Sequence, residues 1–297
     1  MLYSKTVLSP SQLVSHLLEK GLLVEDSDEA AAYITSVSYY RFKGFAWSFR
    51  ISGNRPDAGR FYPGTRFNDI RSLMEMDRDL RLLTMDGIER IELDFRTTIN
   101  EHLCQQYNTP FWYHDESLFK RSKFKHKEFL AKCEREVQRS QELFTRHYLD
   151  KYDSPHLPPG WILIEIETFG TWSRIFQNLA APADRTAIAN RYNVPVTVME
   201  SWAHSLNIVR NICAHHARLW NRELRVSPKI PRSMEFPSFS SERRFAPVAA
   251  VISYLLRAVG HGSGWTVSLS ELLNNSGEKE RRMGFSDDWR SQPFWRL

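Results

Sequence analysis

From about Phe67 to Leu103, apolar side chains recur at Ile70, Leu73, Leu80, Leu83, Ile88, Ile91, Phe95, Ile99 and Leu103, mostly three to five residues apart. That spacing keeps them on one side of a 3.6-residue turn and predicts one long amphipathic helix. Asp77 and Arg81, Asp86 and Arg90, and Glu92 and Arg96 are each four apart and read as ion pairs on its solvated side. No Asn-Gly or Asp-Gly turn flanked by alternating residues marks a hairpin, so the expected class is all-α.

The chain has 297 residues, 42% of them apolar, enough to bury one large core or two modest ones. Forty Lys and Arg against 35 Asp and Glu give a formal charge of +5, which favours an anionic partner. Cys104, Cys133 and Cys213 are far apart and odd in number, which fits neither a disulfide framework nor a thiolate metal site and suggests a reducing compartment. The opening MLYSKTVLSPSQLVSHLLEKG lacks an apolar export core. APVAAVISYLLRAVG, the most apolar later run, is too short to span a membrane and contains Arg257. A cytoplasmic protein is expected.

Ser9, Pro10 and Gln12 mark a helix start by cap, first-turn proline and capping-box glutamine, and Gly21 marks its end. A second helix begins near Asp26 or Ser27. The loop ISGNRPDAGRFYPGTR and the run GHGSG divide the chain into a helical subdomain (1–65), a helical core (66–260) and a tail (261–297) that packs back through Trp289, Phe294 and Trp295. Between Lys120 and Arg139 lie eight Lys or Arg and three Glu, an excess of five. Lys120, Arg121, Lys123, Lys125 and Lys127 within it suit either a polyanion contact or a solvated helix face.

The stretch RNICAHHARLWNREL, Arg210 to Leu224, concentrates basic and imidazole groups. On a helix Asn207, Asn211, His215, Arg218 and Arg222 follow in steps of three or four and form one polar line. Trp202, Leu206, Val209, Cys213, His216 and Trp220 form an apolar stripe, so His215 is expected to face outward and His216 the core. An imidazole takes and gives protons near neutral pH. Arg210 and His215 are five residues apart, about 140° around a regular helix, so a straight helix does not aim both at one phosphate. Either the helix is distorted or a partner chain completes the site.

Arg210, Asn211 and His215 match the R-x4-H pattern of the HEPN ribonuclease superfamily, and the wider stretch resembles its abortive-infection AbiD/AbiF branch. The likeness continues in order through SVSYYRFKGFAWSFR, IRSLMEMDRDLRLLTMDGIERIELDFRTTINEHL, IEIETFGTWSRIF and MGFSDDWRSQPFW. The resemblance implies a HEPN-like helical bundle that dimerises so that two motifs face each other, forming a metal-independent endoribonuclease toxin of anti-phage defence. It implies proton transfer by His215, phosphate stabilisation by Arg210 and orientation by Asn211. RNA grip would fall to Asn207, Arg218, Arg222 and the basic segment. RNA is then the expected substrate, and an inhibitory noncoding RNA a second partner.

Neither H-E-x-x-H nor a Cys/His cluster calls for a metal, adjacent His215 and His216 diverge by about 100°, and no cofactor is expected. Two other functions fit the residues: a non-catalytic protein holding a structured RNA, and a helical adaptor whose polar line meets a protein. Tyr39, Tyr40, Arg41 and Phe45 suit base stacking or core packing. Glu165 and Glu167 diverge by about 160° on a helix, which opposes a carboxylate dyad and leaves one to pair with a base.

Overall fold

Ser9 opens the first helix, α1 (Pro10–Glu19): the Gln12 amide donates to Ser9 Oγ at 3.3 Å while Gln12 Oε1 accepts from the Ser9 amide at 2.8 Å. Asp26 caps α2 (Ser27–Val37) by accepting from the amides of Asp28 and Glu29, and α3 (Tyr39–Ala46) comes directly after it. The periodic stretch forms α4 (Phe67–Gln106), 40 residues long. Eight helices then succeed one another: α5 (His126–Arg139), α6 (Leu143–Lys151), α7 (Gly160–Ile166), α8 (Phe169–Asn178), α9 (Pro182–Asn190), α10 (Val196–Ala214), α11 (Phe245–Ala258) and α12 (Gly264–Leu272). The short α13 (Glu278–Arg281) closes the set.

These elements come from a computed structural model that describes residues 6–274 and 278–296; the first five residues of the stretch read for an export signal lie outside them. Among the described residues there are isolated β-bridges and no sheet, and the fold class is all-α. No described helix is long and apolar enough to cross a membrane.

The chain forms two compact units, one up to residue 79 and one from residue 80. In the first, Val14, Leu17, Ile34, Phe42, Phe45 and Ile70 are buried, and the Phe42 and Phe67 rings stack at 4.8 Å. The aromatic run splits: Phe45 is core, whereas Tyr40 is exposed with Lys43 over its ring. In the second unit the core is aromatic, with Trp112, Trp172, Trp202, Trp220 and Trp289 fully buried. The apolar run in α11 is a core helix, buried from Phe245 to Ser253. Residues 278–296 reach it through Arg257, which donates to the Phe294 carbonyl at 3.0 Å and covers the Phe294 ring.

Two of the residue pairs expected on the solvated side of α4 lie inside instead. Asp77, Arg81 and Glu92 are buried, and Arg96 is mostly so; Asp86 and Arg90 form the exposed pair, at 2.8 Å. The reason is positional. Asp77 lies four residues after Leu73 and three before Leu80, and Glu92 four after Ile88 and three before Phe95, so both stand on the stripe that packs inward.

Candidate active site

Helix α10 buries Trp202, Leu206, Val209 and Cys213 of the expected apolar stripe, with Val198 and Met199 before them, and turns Asn211 outward. It stops at Ala214. His215 is the C-cap (φ −88°, ψ 15°), and His216 takes the left-handed conformation at φ +55°. The His216 amide donates to the Cys213 carbonyl at 3.0 Å and the Ala217 amide to the Ile212 carbonyl at 3.0 Å. Those two bonds define a Schellman motif, which satisfies carbonyls that a helix end leaves open.

The helix end corrects two expectations. Arg218 and Arg222 do not continue the polar line of α10; they lie in the turn beyond it, where Arg222 Nη1 donates to the Arg218 carbonyl at 3.1 Å. His216 does not face the core but is exposed, as is His215. A left-handed residue reverses the chain direction. The buried anchors Leu219, Trp220 and Leu224 then hold the chain beyond the turn, with Trp220 Nε1 donating to the Lys279 carbonyl at 3.1 Å.

Arg210 is one-third exposed, and its buried Nε has no hydrogen-bond partner among the described residues and lies 3.8 Å from Glu92 Oε2 of α4. Its Nη1 makes a long contact of 3.5 Å to Asn211 Oδ1. Glu92 also pairs with Arg96 at 3.0 Å and accepts from the Phe169 amide in the first turn of α8. Burial pushes its carboxyl above the usual range, against the pull of Arg96, Arg210 and that amide. Arg96 in turn donates to the carbonyls of Ile164 (2.6 Å) and Glu167 (3.3 Å) where α7 ends. The Glu167 carboxylate, wholly buried, binds Lys132 of α5 and accepts from Thr171 Oγ1 at 2.7 Å. A polar chain thus runs from Arg210 through Glu92, Arg96 and Glu167 to Lys132. Glu167 is the carboxylate of its pair that meets a base, while Glu165 is exposed. The two are not on one helix, because α7 ends at Ile166 and Glu167 is extended (ψ 145°).

Among the described residues no hydrogen bond or ion pair joins Arg210 to His215. Asn207 is half-buried beside Gly170 of α8, whose missing Cβ would come within 3.2 Å of the Asn207 amide. It lines a groove of about 710 Å³ between α5, α8 and α10. Of the basic segment, residues 120–125 are irregular with a turn at 121–123, and only the remainder is helix. Lys120 is half-buried and spent on the Gln177 carbonyl, and Lys125 pairs with Glu128 at 3.0 Å. Arg121, Lys123 and Lys127 are exposed. Sequence reasoning missed the buried role of Glu92, whose place on the apolar stripe was its signal, and His204, which precedes Asn207 by three residues on the same line.

Fold and site together define an all-α protein whose basic, imidazole-bearing helix end is backed by a buried carboxylate. A family model described as Abi-like protein matches residues 32–221, and the chain belongs to that abortive-infection family. Membership implies a role in abortive-infection defence. Comparison with curated proteins and with solved structures finds no match.

Proposed function

We propose that the protein is a metal-independent HEPN-type endoribonuclease, acting in the cytoplasm as the toxin of an abortive-infection system. The observation that carries this reading is the exposed His215 at the end of a helix whose Arg210 faces the buried Glu92 at 3.8 Å. RNA brings its own nucleophile, the ribose 2′-hydroxyl, and DNA lacks it. Cleavage needs a base to take the 2′ proton, an acid to protonate the leaving 5′-oxygen and a cation facing the phosphoryl oxygens. One imidazole cannot be base and acid in the same step. Two copies of His215, one from each chain of a homodimer, can, with Arg210 as the cation and Asn211 orienting it through their contact. The products are a 2′,3′-cyclic phosphate and a 5′-hydroxyl.

Positioned acid–base catalysis contributes roughly 10²–10⁴-fold, and a fixed charge stabiliser roughly 10²–10³-fold. His215→Ala should therefore slow cleavage of total RNA in EDTA by at least about 10²-fold, and Arg210→Ala by a similar factor, with dimer and melting temperature unchanged for His215→Ala. Cutting by His215→Ala at the wild-type rate would sink the reading. A second reading is favoured by the lack of an Arg210–His215 hydrogen bond or ion pair among the described residues: a non-catalytic protein that holds a structured noncoding RNA. Salt-sensitive binding with no cyclic-phosphate product would select it.

A further inference from the structure

Four cations, Lys125, Lys132, Arg135 and Arg174, line the groove between α5, α8 and α10, against the single carboxylate of Glu128. Lys125 is matched by Glu128 and Lys132 by Glu167, whereas Arg135 and Arg174 are exposed and have no ion-pair partner among the described residues. The α10 wall carries His204 and Asn207, and steps of three, four and four residues join His204, Asn207, Asn211 and His215 along that helix. From His204 to His215 this line extends roughly 16 Å at 1.5 Å per residue. The groove and the histidine at the helix end therefore share one polar edge.

We propose that this groove is the track for the single-stranded RNA flanking the cut, with Arg135 and Arg174 on successive phosphates and His204 and Asn207 along the opposite wall. A volume of about 710 Å³ suits a short stretch of strand, on the scale of small-ligand pockets, and not an A-form duplex, whose wide minor groove is met from outside. Lys132 belongs to the buried network and fixes the groove's floor, so the two arginines carry the counter-charge. The track rests on the endoribonuclease reading, and its test is arranged to fail separately.

The test is made in the full-length His215→Ala protein, which binds without cutting, using a short fluorescein-labelled oligouridylate titrated at several salt concentrations. Each phosphate contact on a single strand contributes about 0.7 to the slope of log affinity against log salt. Arg135→Gln with Arg174→Gln should lower that slope by about 1.4 and weaken binding roughly 25-fold at 0.1 M salt, one decade below the 1 M reference. Both side chains are exposed, so the melting temperature should hold. Arg232→Gln, an exposed arginine that does not line the groove, is the control for net charge and should change neither quantity. Unchanged affinity and slope in the double variant, as expected if the groove serves an acidic protein instead, would overturn the track and leave the endoribonuclease reading standing. An equal loss in the Arg232 control would overturn it too. No binding by the parent would overturn both.

Discussion

Glu92 is a carboxylate that burial disfavours and that the charges of Arg96 and Arg210 and the Phe169 amide favour. Burial wins, and the folded-state pKa lies above the unfolded value near 4.5. The folded chain then keeps this proton longer than the unfolded chain does, so the protonated group favours folding most below about pH 4.5, and that contribution is lost as pH rises through the raised pKa. Glu92→Gln cannot titrate. Urea midpoints from pH 4 to pH 7 should therefore move against wild type relative to Glu92→Gln as pH rises; a difference that stays constant with pH contradicts this. The Glu92–Arg96 spacing was plain in the sequence, but its burial was not, because four-residue spacing says which side chains meet and not whether water reaches them.

The periodic stretch announced α4 to within a few residues at each end, since some forty residues of repeated spacing leave little choice of structure. The end of α10 carried no such signal. Glycine or asparagine is the usual left-handed residue after a helix, and here His216 holds φ +55° while Leu219, Trp220 and Leu224 are drawn into the core beyond it. Tertiary anchoring ended a helix that local pattern would have continued through Arg222. A β-branched side chain is penalised most in that conformation, so His216→Val should cost about 1–2 kcal/mol, read as a lower urea midpoint at unchanged slope, whereas His216→Asn should cost far less. Equal midpoints for the two variants would show that the turn imposes no conformational demand. Because this turn sets where His215 emerges, His216→Val should also slow RNA cleavage more than His216→Asn.

Across the whole molecule the fold class and the family were legible because ordered motifs covered most of the chain, from the aromatic run near Tyr39 to the closing Trp295. The polar chain from Arg210 to Lys132 was not, since it joins α4, α5, α7 and α10 through contacts that only packing creates. No hydrogen bond or ion pair joins Arg210 to His215 among the described residues, and the proposed function takes one imidazole from each of two copies. Equal amounts of wild type and His215→Ala, mixed until subunits have exchanged, leave about a quarter of the dimers with both imidazoles. Cleavage should then fall to about a quarter of the wild-type rate, whereas a fall to only about half places a working site within each single chain. The most direct measurement of the central claim is the chemistry of the cut ends on a defined single-stranded RNA in EDTA. The expected result is a 2′,3′-cyclic phosphate and a 5′-hydroxyl at each cut, with DNA of the same sequence left whole. Ends bearing a 3′-hydroxyl and a 5′-phosphate, or cleavage of the DNA, would contradict it.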